Sequence, residues 1–108
     1  MEQVYNKLVR DKIPEIIEVN GEKPIVRVLT DKEYKTELEN KLLEEYKEVI
    51  NAIEKNERIE ELADMLEIII SIAKLEDKSL NDIIEIANIK RKKRGGFDKK
   101  IFLEKVIK

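Results

Sequence analysis

Apolar residues recur through most of this chain at intervals of three and four, the spacing of helices with one buried face, and the breaks between these runs divide it into four helical stretches. Asp11 is placed to cap a short helix over residues 12–19, with Pro14 in its first turn and Asn20-Gly21 at its end. After Pro24, IVRVL is β-branched and alternating, which predicts a short strand or an extended arm, and IFLEKVI near the C-terminus has the same character. A first long helix is expected from a cap at Asp31 to about Glu54, with Leu38, Leu42, Tyr46, Val49, Ile50 and Ile53 at helical spacing, followed by a turn at KNER. A second, over residues 57–76, is apolar around well over half its circumference, too wide for a helix with a single neighbour, so it belongs inside a bundle or at a subunit interface. Ser79 with Asp82 three residues on opens a last helix carrying Leu80, Ile83, Ile84, Ile86, Ala87 and Ile89, which Gly95-Gly96 closes. The expected fold is all-α, a helical bundle around a central antiparallel hairpin, with short N- and C-terminal extended segments.

No repeat, low-complexity tract or flexible linker interrupts the pattern, so residues 1–108 are expected to form one domain. A chain of this length can bury roughly two thirds of the surface its unfolded form exposes. Charged residues make up 43% of it, yet they are interspersed with Ile, Leu and Val rather than gathered in polar tracts, which favours a folded, heavily charged surface over disorder. Cysteine and histidine are both absent. That excludes disulfides, thiolate and imidazole metal sites and His-dependent triads, and leaves carboxylates, Lys, Arg and Tyr to carry any chemistry. No stretch approaches the ~18 apolar residues of a membrane span and no apolar leader opens the chain, so a cytoplasmic location is the expectation.

The net charge of −2 conceals a strong polarity. Residues 1–30 hold five acids and five bases, residues 31–86 seventeen and eight, and residues 87–108 two and nine, which is 0, −9 and +7. An acidic centre beside a basic end suits a cation and a phosphate ligand meeting in one place.

The acids of the two long helices are in matched register. Glu45 falls at the edge of the first apolar face and Glu48 one step further round; Glu61 shares a stripe with Met65, Ile68 and Ile72, and Asp64 lies toward Ile68 and Leu75. Facing residues of an antiparallel hairpin have a constant sum of numbers, and Glu48 with Glu61 and Glu45 with Asp64 share one sum. Each i, i+3 step rises ~4.5 Å, so the four carboxylates can stack as two levels of one cluster. Such a cluster either takes up protons or needs a cation, and all-oxygen donors favour Mg²⁺ or Mn²⁺. Acids at this spacing are also ordinary on solvated helices of a Glu-rich chain; the shared register and the apolar placement of Glu61 favour the metal. Glu44 points away and reads as surface charge.

At the other end, ANIKRKKRGGFDKK sets five consecutive bases before two glycines. Lys90 and Arg94 are four apart and share a helix face suited to polyphosphate. The alternatives are bases complementing a helix dipole, or a nucleic-acid patch. The negative overall charge and only 5% aromatic content argue against extended nucleic-acid binding.

EEYKE followed by EELAD resembles the EExxE and ExxD signature of the MazG-like, all-α nucleotide pyrophosphohydrolase superfamily. YNKLVRDKIPEII and KRKKRGGF resemble the ends of a small single-domain branch, phosphoribosyl-ATP pyrophosphohydrolase-like. The resemblance implies a helical bundle, dimeric or built from dimers, with Mg²⁺ held by residues matching Glu45, Glu48, Glu61 and Asp64. It also implies phosphate-binding bases matching Lys90 and Arg94. Lys7, Arg10 and Asp11 fall in the N-terminal signature, and Lys7 and Arg10 complete the expected substrate-binding set. The function expected is Mg²⁺-dependent cleavage of a nucleoside triphosphate between its α and β phosphates, giving a monophosphate and pyrophosphate, with Glu45 or Glu48 taking the proton from water. The alternatives are the same chemistry on phosphoribosyl-ATP, and a non-catalytic helical dimerisation or nucleotide-sensing module.

Overall fold

The computed structural model describes residues 1–108 and is entirely helical, with four helices: α1 (Ile13–Val19), α2 (Asp31–Asn51), α3 (Lys55–Leu75) and α4 (Leu80–Arg94). α2 and α3 lie along one another as the central hairpin, α4 touches α3, and α1 packs on none of the others. The apolar segments IVRVL and IFLEKVI form neither helix nor strand.

Local chemistry sets the helix ends. α2 is capped one residue earlier than the sequence predicts: Thr30, not Asp31, is the cap. Its hydroxyl accepts the Glu33 N–H at 3.2 Å and the Glu33 carboxylate accepts the Thr30 N–H at 3.1 Å. This is a reciprocal box that an acid at position 31 cannot make. Arg27 closes on the same carboxylate with both guanidinium nitrogens, at 2.8 Å and 3.2 Å. That fork fixes the entering arm to the helix. Asp11 likewise does not cap α1. Lys12 occupies that position with no side-chain bond, and the turn is held instead by the Ile13 N–H donating to the Arg10 carbonyl at 3.0 Å.

The break between the long helices is at Ala52–Glu54, earlier than KNER, whose residues form the first turn of α3. Ala52 and Glu54 are both extended, at ψ 128° and 149°, so three residues reverse the chain and the KNER charges are free to enter helix. α4 opens as expected on a Ser79/Asp82 capping box and ends at Gly95, whose φ of +84° is the left-handed conformation a glycine adopts without a Cβ clash.

The principal departure from expectation is burial. Only Leu38, Val49 and Ala73 are buried, on the packing faces of α2 and α3, while Leu62, Leu66, Ile86, Ile89, Phe97 and Phe102 are exposed. The radius of gyration is 18.6 Å. A compact chain of about 100 residues would have roughly 13 Å. A hairpin with one further helix has too few neighbours to cover the wide apolar face of α3, so the expected two-thirds burial is not reached within one chain.

Glu33 is held down to about 2 from 4.5, chiefly by its hydrogen bond from Arg27 and then by Thr30. Its contribution is therefore fully present above about 4.5 and is lost as pH falls toward 2. Thr30→Ala should lower stability at pH 7 by about 1 kcal/mol in urea denaturation. Glu33→Gln should also be less stable than the parent at pH 7, the difference shrinking as pH is lowered through that window.

Candidate functional site

Glu45 projects from the middle of α2, and Glu61 and Asp64, one turn apart, project from the facing stretch of α3. One carboxylate oxygen from each lies within 4.8 Å of the other two, and all three residues are half-buried. Glu48, one turn along α2 from Glu45, is exposed and stands outside this group, though its charge acts on Glu61. The earlier chain reversal leaves the acids of the two helices still opposed, because 45 and 48, like 61 and 64, are each separated by one turn.

The electrostatics follow from the crowding. Desolvation between the helices and then the charge of Asp64 push the Glu45 carboxyl up, with Lys41 opposing. Desolvation followed by the charges of Glu48 and Asp64 pushes Glu61 up as well. Two acids biased toward their neutral forms next to a third describe a place short of positive charge.

Part of that charge arrives from the N-terminal arm. The Arg10 guanidinium donates to Asp64 at 2.8 Å, and Lys7 donates to Glu44 at 3.2 Å, with Lys41 on the other Glu44 oxygen at 3.5 Å. Lys7 and Arg10 are three residues apart, ~10 Å in extended chain, which is about the distance between the axes of two packed helices. The arm can thus pin α2 with one base and α3 with the next. Glu44 belongs to this contact rather than to the free surface, a role helical-wheel geometry does not reveal because its partner lies 37 positions away.

Lys90 and Arg94 are exposed on α4, and their side chains make no ion pair or hydrogen bond within the chain. Arg94 lines one wall of a cleft of about 360 Å³ formed with the following loop, whose other polar walls include Lys99 and Lys100. The chain by itself does not join this basic cleft to the acids.

The sequence profile of the MazG nucleotide pyrophosphohydrolase domain matches residues 33–102, well over half of the chain. The chain belongs to the MazG nucleotide pyrophosphohydrolase family. An uncharacterized protein of Mycolicibacterium smegmatis is 49% identical over 43 residues, which is 40% of this chain and 44% of that protein, so the match spans less than half of either. No solved structure matches the chain. The MazG match takes in the acids of α2 and α3 together with Lys90 and Arg94, and leaves Lys7 and Arg10 outside it.

The MazG acids have the donor set for a hard cation. Oxygens around one Mg²⁺ or Ca²⁺ lie roughly 2.0–2.6 Å from it, so opposite ligands are about 4 to 5 Å apart. The 4.8 Å limit on the three oxygens fits one ion. No sulfur or imidazole competes for it.

Because Glu45 and Glu61 are raised in the folded chain, stability should fall as pH rises above about 4.5 through their folded values. In chelator at pH 7, Glu61→Gln should melt higher than the parent, and the gap should close below about 4.5, where both carry a neutral side chain. A lower melting temperature for the variant throughout would contradict the repulsion.

Proposed function

We propose that this MazG chain hydrolyses nucleoside triphosphates at the α–β anhydride, releasing a monophosphate and pyrophosphate, with Mg²⁺ as the working ion and Mn²⁺ as a substitute. The observation that carries this reading is the convergence of three carboxylate oxygens from Glu45, Glu61 and Asp64 inside a pyrophosphohydrolase domain. These residues, with Glu48 at the rim, would hold the ion, which supplies positive charge for the phosphate oxygens and acidifies water.

The chain's own residues do the rest. Of the two acids on α2, Glu48 lies outside the three-oxygen group and is open to solvent, so it is the one with an oxygen left over from the ion to take the proton as water adds across the anhydride. Arg10 bonds Asp64 through one terminal nitrogen and retains donors that can turn to a phosphate. Lys7 adds charge beside it, and Lys90 and Arg94 bind the polyphosphate once α4 is brought alongside the site.

That last requirement, and the apolar surface, support a homodimer or dimer of dimers. Phe97 and Phe102 are 99% and 87% exposed, and α3 leaves Leu62, Leu66 and Leu75 open, more apolar surface than a stable lone chain presents. A cytoplasmic location is part of the same proposal, since nucleoside triphosphates are found there; no helix is long and apolar enough to cross a membrane.

Incubation with a nucleotide panel and chromatography of the products tests the activity. Hydrolysis should stop in chelator and return with Mg²⁺ or Mn²⁺. Glu61→Gln and Asp64→Asn should abolish it while remaining folded, and Mg²⁺ should raise the melting temperature of the parent but not of Glu61→Gln. Lys90→Ala and Arg94→Ala should each cost about ten- to hundredfold in kcat/KM, as expected for a lost charge-assisted contact of ~1.5 to 3 kcal/mol, with Arg91→Ala and Lys92→Ala much milder. Full activity after metal removal would sink the proposal.

Sedimentation should give a dimer or tetramer at micromolar concentration, and Ile72→Asp, on the wide apolar face of α3, should dissociate or unfold it. A monomer with full activity would contradict the assembly.

A further inference from the structure

Residues 1–12 contain no helix or strand, and α1, which they lead into, packs on no other helix. The arm's course over the hairpin is therefore set by a few contacts. Two are ion pairs, Lys7 with Glu44 on α2 and Arg10 with Asp64 on α3. Glu44 is itself held from its own helix by Lys41, so its carboxylate is bonded from both sides, by Nζ atoms at 3.2 and 3.5 Å. Asn6, immediately before Lys7, has a φ of +47°, a left-handed residue that bends the chain as it meets α2. Asn6, Lys7 and Leu8 then roof a cleft of about 240 Å³ whose floor is Glu37, Asn40, Lys41 and Glu44 of α2.

Exposed ion pairs of this kind are individually weak, and neither would hold an arm alone. Linked three residues apart, they act differently: once Lys7 is docked, Arg10 meets Asp64 at the high effective concentration of a tethered group. We infer that Glu44 is a positioning residue of the site: through Lys7 it seats the N-terminal arm on α2, and so delivers the Arg10 guanidinium to Asp64 and to the phosphates bound there. The part concerning phosphates rests on the proposed hydrolase function; the part concerning the arm does not. Glu44 itself bonds neither Arg10 nor any reacting atom. It acts only through Lys7, which predicts energetic coupling between positions 44 and 10 although their side chains make no bond.

The absence of cysteine permits a clean distance measurement. Spin labels at Val4→Cys and Glu60→Cys, in protein diluted with excess unlabelled chain, should give one narrow distance distribution by pulsed EPR. Glu44→Gln should broaden it and the charge exchange Lys7→Glu with Glu44→Lys should restore it, because the new Glu at 7 meets Lys at both 44 and 41. In hydrolysis assays, Glu44→Gln should raise KM about three- to tenfold with a smaller change in kcat, and the exchange should recover most of it. Arg10→Ala should raise KM in the parent but add little in the Glu44→Gln background, the non-additivity expected when one residue acts through the other. An unchanged distance distribution in Glu44→Gln, or fully additive effects of Glu44→Gln and Arg10→Ala, overturns the inference. If the parent hydrolyses no nucleotide, the proposed function fails, and the distance measurement still decides whether Glu44 seats the arm.

Discussion

The structure is organised by a contradiction across one helix pair. α2 and α3 must pack, because Leu38, Val49 and Ala73 have no other place to be buried, and packing them brings Glu45 against Glu61 and Asp64. A hairpin selected for stability alone would separate those acids or replace them, since removing a like-charge contact relieves repulsion at no loss of apolar area. Here the upward pressure on both Glu45 and Glu61 is left in place. Such stress is the usual signature of a functional site, and the counterpart that suits this one is a cation.

Positive charge comes to that place by separate routes. Arg10 arrives on an irregular arm and bonds one of the three acids, while Lys41 offsets the charge around Glu45 from within α2. Neither can serve all three oxygens at once, because a guanidinium is flat and reaches one carboxylate edge at a time, whereas a small divalent ion accepts oxygens from several directions. The arm can therefore accompany a metal rather than replace it. Through Arg10 it ties the acidic centre to the neutral N-terminal region, whereas the basic end of α4 makes no bond to these acids within the chain.

The exposed apolar surface follows from the same shortage of elements. With four helices, of which one packs on nothing, the chain offers α3 only two neighbours. The hairpin needs further walls, and α4 and the C-terminal arm, bearing Ile89, Phe97, Ile101 and Phe102, have apolar faces to offer in return. Docking of those faces, the assembly proposed above, would also move the bases carried on α4.

The sequence by itself determined the four helices, because helical periodicity and capping chemistry act over a few residues: Ser79 with Asp82, Asn20-Gly21 and Gly95 mark their ends through bonds to immediate neighbours. It determined the donor chemistry too, since the lack of His and Cys leaves only oxygen, and the one-turn spacing of 45/48 and 61/64 carries into the fold whatever the turn between them. Competing local signals were less legible. Asp31 and Thr30 both suit a cap, and only the reciprocal reach of Glu33 chooses Thr30; KNER has turn composition, yet the chain reverses before it. Tertiary structure alone decided the contacts made over long separations. That three of the four acids share a close group while Glu48 stays at the rim depends on side-chain reach across the interface, to which wheel positions are blind. That Glu44 and Asp64 meet Lys7 and Arg10, 37 and 54 residues away, depends on how an arm without regular structure is laid over two helices, and an irregular segment has no period from which its path can be read.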